Sequence, residues 1–446
     1  MIKMCLILTA MAVCTARAGE LSLTVYNQNL ALVREIRELE IASGVSTLSF
    51  TDVAAQIDPT SVHFRSLTDA DRLSILEQNY EYDLVGGQKI LEKYVDREIR
   101  VLTEKGSVFT GKLLSAASDI VIQNQDGAVQ VIKAGAVQHF DFPKLPEGLI
   151  TRPTLLWLLD NRGVKTHKAE ISYLTEGLNW HAEYVAVADQ DDRFIDIGAW
   201  VSIENQSGTD YADARLKLVA GDVNRAEEAR PMFRTMALEA YDKGAEPQFE
   251  EKAFFEYHLY TLQRRATVKN NQTKQISLFP AARTAVKKIF IYDGAQDEKK
   301  VRVHLEFKNS KSDGLGLPLP KGKIRVYKKD SDGSQEFVGE DRIDHTPADE
   351  KVRIFLGNAF DLAGERVQQS VKQIGKRSRE EQYMITLRNH KKEAVEITVI
   401  ERFQGDWSIT QKSHDFRKKD ARTAEFTLPV PPSGESVLNY TVLVQW

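Results

Sequence analysis

Few residues in this 446-residue chain have the types and spacing that chemistry requires. Gly106-Ser-Val-Phe-Thr-Gly111-Lys112 has the glycine–lysine spacing of a phosphate-binding loop. That loop needs a Ser or Thr after the lysine to hold magnesium and a helix N-terminus to receive phosphate, whereas Leu113 follows here inside a strand-like run. Gly314-Leu-Gly316 lacks the third glycine and the helix of a dinucleotide site, and Pro318 and Pro320 mark it as a loop. The densest polar cluster is Asp341-Arg342-Ile343-Asp344-His345. A carboxylate beside His345 would suit general-base work, but no nucleophile is placed with it, and Asp–Arg pairing alone accounts for such a loop. His181 follows Trp180, with Tyr184 and Trp200 nearby. These aromatics would make a sugar-stacking platform, but on β-strands they ordinarily fill a core. Basic turns at Lys372 to Arg379 and Arg417 to Arg422 would meet anionic glycans or lipid headgroups if they shared a face. The nine histidines include no pair at the i, i+4 spacing of a zinc helix. No catalytic, cofactor-binding or metal-ligating residue is assigned.

The elements that carry these residues alternate in the manner of strands. Short runs such as LSLTVY, STLSF and SVHF follow one another from Leu21, broken at Asp58-Pro59. Gln88 to Tyr94 has the makings of a helical turn or two. Five runs then follow at close spacing, EIRVLT, SVFTGKLLS, DIVIQN, AVQVIK and VQHFDF. So short a sheet would expose its edges, so closure into a small barrel, SH3-like or Sm-like, is expected. Longer alternating strands occupy the rest, with Asp330-Ser331-Asp332-Gly333 as a hairpin turn. The segment EEARPMFRTMALEAYDKGAEPQFEEK breaks the alternation; within it Met232, Phe233, Met236, Ala237 and Ala240 fall at helical spacing, in what is otherwise a solvated insert. In the final strand Leu438, Tyr440, Val442, Val444 and Trp446 alternate, which places Trp446 at the close of a core.

Lys3, the apolar run Cys5 to Val13 and Ala16-Arg17-Ala18 form the three regions of a secretory signal, with cleavage expected after Ala18. Both cysteines, Cys5 and Cys14, lie in that leader, so the mature chain has no disulfide and depends on buried apolar area. Without the leader, 58 basic stand against 64 acidic residues, a formal charge of −6 that argues against a nucleic-acid binder. No later apolar run approaches the ~20 residues of a spanning helix.

The stretches YLTEGLNWHAEYVAV, WVSIENQSGTDYADARLKLVAGDVNR, FFEYHLYTL, TKQISLF, LPKGKIRVYKKDSDGSQEFVGEDRIDHTPADEKVRIFLGNAFDL and ITLRNHKKEAVEITVIERFQGDW resemble, in combination, the bacterial secreted domain-of-unknown-function family 4139, which includes mucoidy-inhibitor-like proteins. The resemblance runs from near Thr151 to Trp446. It implies a cell-envelope β-sandwich protein and brings no reaction, cofactor or catalytic residue with it.

The expected fold is therefore all-β, with β-sandwich modules and a small barrel insert. Its expected parts are a signal peptide (1–18), an N-terminal β layer (19–88), the barrel insert (89–145), a central sandwich (146–295) with a flexible insert at 226–252, and a C-terminal sandwich (296–446). The expected function is non-enzymatic binding or structural work in the periplasm or outside the cell, with an envelope component, protein or glycan, as partner. A periplasmic hydrolase of envelope polymers is the alternative and predicts His345 or His181 among carboxylates in a concave pocket. An outer-membrane barrel is the third reading, disfavoured because strands such as KIRVYKK would place Lys or Arg against lipid at ~2–4 kcal/mol each.

Overall fold

The computed structural model describes residues 19–146, 148–221, 223–224, 248–254 and 256–446. The leader and the helical spacing of Met232 to Ala240 lie outside the described residues. The described strands form five sheets, and Gly87–Lys93 is the α-helix among them.

Three sheets share one core. The first orders Phe249–Phe254, Tyr257–Leu262, Tyr211–Ala220, Glu20–Tyr26, Leu30–Glu40, Thr166–Thr175 and His63–Ser66, with Ala266–Val268 also on Tyr211–Ala220. The second orders Gly44–Thr51, Thr154–Asn161 and Leu73–Glu81. The third, called the central sheet below, orders Gln272–Ala285, Phe194–Asn205, Leu178–Ala188, Gly322–Lys329 and Gln335–Ile343. Alternate residues from all three, among them Leu23, Trp157, Trp180, Tyr184, Ile324 and Val326, pack together. Each large apolar side chain so buried contributes about 1.5–3 kcal/mol. The Asp330–Gly333 turn joins the last two strands of the central sheet as expected, with Gly333 at φ +90° where only a residue free of a Cβ is unstrained.

The nine-stranded sheet orders Asp406–Lys412, Gly434–Gln445, Ser378–Asn389, Lys351–Gly375, Lys300–Lys308, Lys287–Tyr292, Val395–Arg402, Thr423–Val430 and Phe416–Lys418. It curls over its own inner face. Phe426 and Tyr440 stack at 5.5 Å although their strands are not neighbours in the sheet. Lys351–Gly375 spans 25 residues and serves both cores: Val352 and Ile354 enter the shared core, and Leu362 enters that of the curled sheet. Between them the register shifts, Arg302 facing Asn358 and Lys300 facing Ala363, so the strand bends from one core to the other.

The expectation of a closed barrel over 89–145 is overturned. The five strands run Val137–Asp141, Glu98–Thr103, Val108–Ser115, Ile120–Gln123, Val129–Ile132, and the two outer ones are not hydrogen-bonded to each other. The sheet is open because it buries its face another way: Leu91 and Tyr94, from the Gly87–Lys93 helix and its C-terminal end, cover Ile99, Val101, Leu113 and Ile122. Strands of four residues, Ile120–Gln123 and Val129–Ile132, also leave little length over which to pair round. Val129 and Val131 remain exposed on the free edge.

One device recurs four times. Asn161, Asn205, Asn309 and Asn389 are all fully buried at strand ends. Each donates its amide to carbonyls of two loops and accepts a backbone N–H two to seven residues on: Asn205 donates to Thr209 O (2.9 Å) and Val268 O (3.2 Å) and accepts from Ser207 N (3.0 Å). Asn309 donates to Leu317 O and Pro347 O and accepts from Gly316 N, and Asn161 and Asn389 repeat the pattern. A buried loop carbonyl needs a donor, and one carboxamide supplies two.

Candidate binding surface

At one end of the nine-stranded sheet the core gives way to cations and exposed apolar groups. Along the inner face of Gly434–Gln445, Leu438, Tyr440, Val442 and Val444 are buried, but Trp446 is 57% exposed. The expectation that Trp446 closes a core is therefore corrected: the alternation is right, and the sheet extends beyond the core's end. The neighbouring strand shows the same gradient. Ile385, Tyr383 and Glu381 are buried, and Arg379, next on that face, is exposed, its guanidinium 5.3 Å from the Trp446 ring centroid.

Both basic turns lie here. Arg379 faces Val444, and Val444 faces Trp407 on the adjacent strand. Lys418, from the second turn, sits 4.5 Å over the Trp407 ring, whose indole N–H donates to Ala421 O at 2.8 Å. Trp446 N–H in turn donates to Arg377 O in the first turn (3.1 Å). Arg417 and Lys419 pair with Glu425, and Arg379 with Glu381. Burial would raise the Glu425 carboxyl, but those two cations hold it below the ordinary range. Among the described residues Lys372, Lys376 and Arg377 make no ion pair, and Val371 (55% exposed) and Ile374 (53%) stand beside them on the protruding hairpin. Aromatic rings with basic neighbours and aliphatic side chains at a rim suit an anionic, partly apolar surface.

Below this end lies a buried polar layer. Arg366 donates to Glu401 through Nε (3.0 Å) and Nη2 (2.9 Å) and rests 3.9 Å over the Tyr383 ring. Tyr440 donates to the same carboxylate, and Tyr383 donates to Glu381 at 2.7 Å. Burial alone would lower the Arg366 guanidinium, but Glu401 raises it, and burial followed by the Glu401 charge raises the Tyr440 phenol. The layer braces the strands that carry the exposed end.

The other sequence candidates are placed elsewhere. Gly106 is a hairpin turn at φ +81°, Gly111 abuts Gln123 O, and Lys112 pairs with Asp96 at 2.7 Å, so no phosphate cradle forms. Gly314 and Gly316 belong to the loop held by Asn309. Asp341 accepts from Arg342 N and Phe355 N, tying two strands. His345 Nδ1 accepts from Lys321 N–H at 3.2 Å, and its Nε2 lies 3.1 Å from the Asn27 amide nitrogen, so the ring ties the Lys321 loop to the Asn27 turn. Trp180 and Tyr184 are core residues. His181 lies on the opposite face of the same strand, where it meets Glu183 at 3.0 Å; Arg325 joins them at 2.6 Å, and half-buried Trp200 is the residue facing Glu183 on the next strand. Among the described residues no group of His, Cys, Asp and Glu is arranged to hold a metal. The buried Asn set and the Glu401 layer were not anticipated. The signal for the first was a strand-ending Asn before a polar turn, present in DNRG, ENQS, KNSK and RNHK.

The fold and this surface define a multi-sheet β protein that gathers at one end its most exposed tryptophan and cations that make no ion pair among the described residues. Residues 169–446 match the family described as a domain of unknown function, DUF4139, and the chain belongs to that family. No curated protein matches it. Among the described residues no helix is long and apolar enough to cross a membrane.

Proposed function

We propose that the chain is a non-enzymatic binding protein of the cell envelope, exported by a leader cleaved after Ala18, that docks on an anionic lipid surface through the exposed end of its nine-stranded sheet. The observation that carries this reading is that Trp446, whose N–H bonds to Arg377 O and whose ring lies 5.3 Å from the Arg379 guanidinium, stands at the tip of the hairpin that carries Lys372, Lys376, Val371 and Ile374. Lys372, Lys376 and Arg377 are in no ion pair among the described residues. An anionic glycan would satisfy the cations but offers nothing to two exposed aliphatic side chains, whereas a headgroup layer accepts both. Each cation near an anionic membrane contributes about 1 kcal/mol, so the three together amount to about a hundredfold in partitioning.

Flotation with phosphatidylglycerol-containing vesicles and with phosphatidylcholine vesicles tests this. The protein is expected to float with the anionic vesicles only, and K372E/K376E/R377E is expected to remain at the bottom of the gradient while keeping its unfolding transition. Flotation of that variant with anionic vesicles, equal flotation of the native protein with neutral ones, or recovery by a soluble anionic polysaccharide in place of vesicles would contradict the reading.

A further inference from the structure

We propose that the cleft between the central and nine-stranded sheets is a binding site for a small organic carboxylate with a short apolar body. The site is independent of the exposed end. Its centre is Asp192, at φ +56° in the turn that links Leu178–Ala188 to Phe194–Asn205 and that Asp189 braces by accepting from Arg193 N and Phe194 N. Lys288, from the nine-stranded sheet, and Lys328, from the central sheet, both donate to the Asp192 carboxylate, one to each oxygen. Lys328 also donates to Gln190 O at 2.9 Å.

Three elements therefore bring two cations and one anion to the rim of a cleft of about 240 Å³, walled by Ala188, Leu305, Val338 and Leu356. Two ammonium groups carry six N–H donors; Asp192 and Gln190 O take three, which leaves three. Of the nearby charges, Asp189 and Asp196 are themselves matched by Arg283, and Asp196 also by Lys329. Glu336 stands across the strand pair from Lys328 but makes no ion pair with it among the described residues, and the Lys–Asp–Lys group itself carries one positive charge in excess. The two lysines hold the Asp192 carboxyl below its usual range against the opposing effect of burial, so it stays an anion.

These features select the ligand. The excess positive charge calls for an anion, the free N–H donors suit a carboxylate, and the aliphatic walls call for an apolar body. At about 240 Å³ and open to solvent on one side, the cleft has room for a body such as hexanoate or benzoate, where an enclosed apolar cavity of ~150 Å³ already accepts benzene. Inorganic phosphate would leave the Leu305, Val338 and Leu356 wall unmatched.

The test is titration calorimetry of the full chain with hexanoate, benzoate, hexanol and inorganic phosphate. The two carboxylates are expected to bind, and hexanol and phosphate more weakly by about tenfold or more. Lys288→Met and Lys328→Met are each expected to weaken hexanoate by about tenfold or more. Asp192→Asn removes the internal competitor for both lysines and is expected to tighten hexanoate binding, an outcome that a purely structural ion cluster would not give. Val338→Trp, on an edge strand, fills the cleft without removing a charge and is expected to abolish binding even if a lysine variant fails to fold. Equal affinity for hexanol, weaker binding by Asp192→Asn, or unchanged binding by Val338→Trp would overturn the proposal.

Discussion

Replacing Arg366 with leucine is expected to lower the stability of the nine-stranded sheet by about 3–5 kcal/mol. Glu401 is only 2% exposed and takes its hydrogen bonds from Arg366 and Tyr440. Without the guanidinium, the carboxylate stays behind in a core built from Phe426, Tyr383 and Tyr440, where an unpaired charge is far more costly than a missing contact. The arginine also covers the Tyr383 ring, and that packing is lost with it. Removing both charges tests the cause: Arg366→Leu with Glu401→Leu is expected to be more stable than Arg366→Leu alone, because the buried ion is gone. Urea unfolding followed by near-ultraviolet circular dichroism reads both. A loss below about 1 kcal/mol for the single variant would place this pair with ordinary surface ion pairs.

Asn205→Ala is expected to cost about 3 kcal/mol or more, since it strands two loop carbonyls and the Ser207 N–H in a dry setting at about 1–3 kcal/mol each. Asn389→Ala is expected to behave alike, its carboxamide serving Glu393 O, Val430 O and Pro431 O. Asn124→Ala is the control. Asn124 makes a comparable bond, to Ala128 N at 2.8 Å, but in an exposed turn where water replaces it, so the loss should stay under about 1 kcal/mol. Equal effects at Asn205 and Asn124 would show that burial does not decide the cost.

What the sequence revealed follows from what each signal depends on. Alternation depends on two residues at a time, so strands such as Leu178–Ala188 and Gly434–Gln445, and the hairpin at Asp330–Gly333, were legible. Closure of the Glu98–Asp141 sheet was not, because it turns on whether two distant edges meet, and helix residue Leu91 supplies cover that strand spacing does not encode. Trp446 failed for a similar reason: alternation gives the face of a strand but not how far the opposing layer extends. The basic turns were visible as runs, whereas their common location depends on the order of Ser378–Asn389, Gly434–Gln445 and Asp406–Lys412 in the sheet. The buried Asn set was hidden because a strand-ending Asn has the composition of any turn; only burial and its partners across 41 or 63 residues of chain distinguish it.

The docking account is tested most directly by the depth of Trp446. Of the five tryptophans, Trp157, Trp180 and Trp407 are buried and Trp200 half-buried, so Trp446 is the one placed to enter a headgroup layer. With anionic vesicles carrying brominated acyl chains, the native protein is expected to lose part of its tryptophan emission, and Trp446→Phe is expected to show no such loss. Equal quenching in the two proteins, or none in the native one under conditions where it floats with the vesicles, would contradict insertion of this end of the sheet.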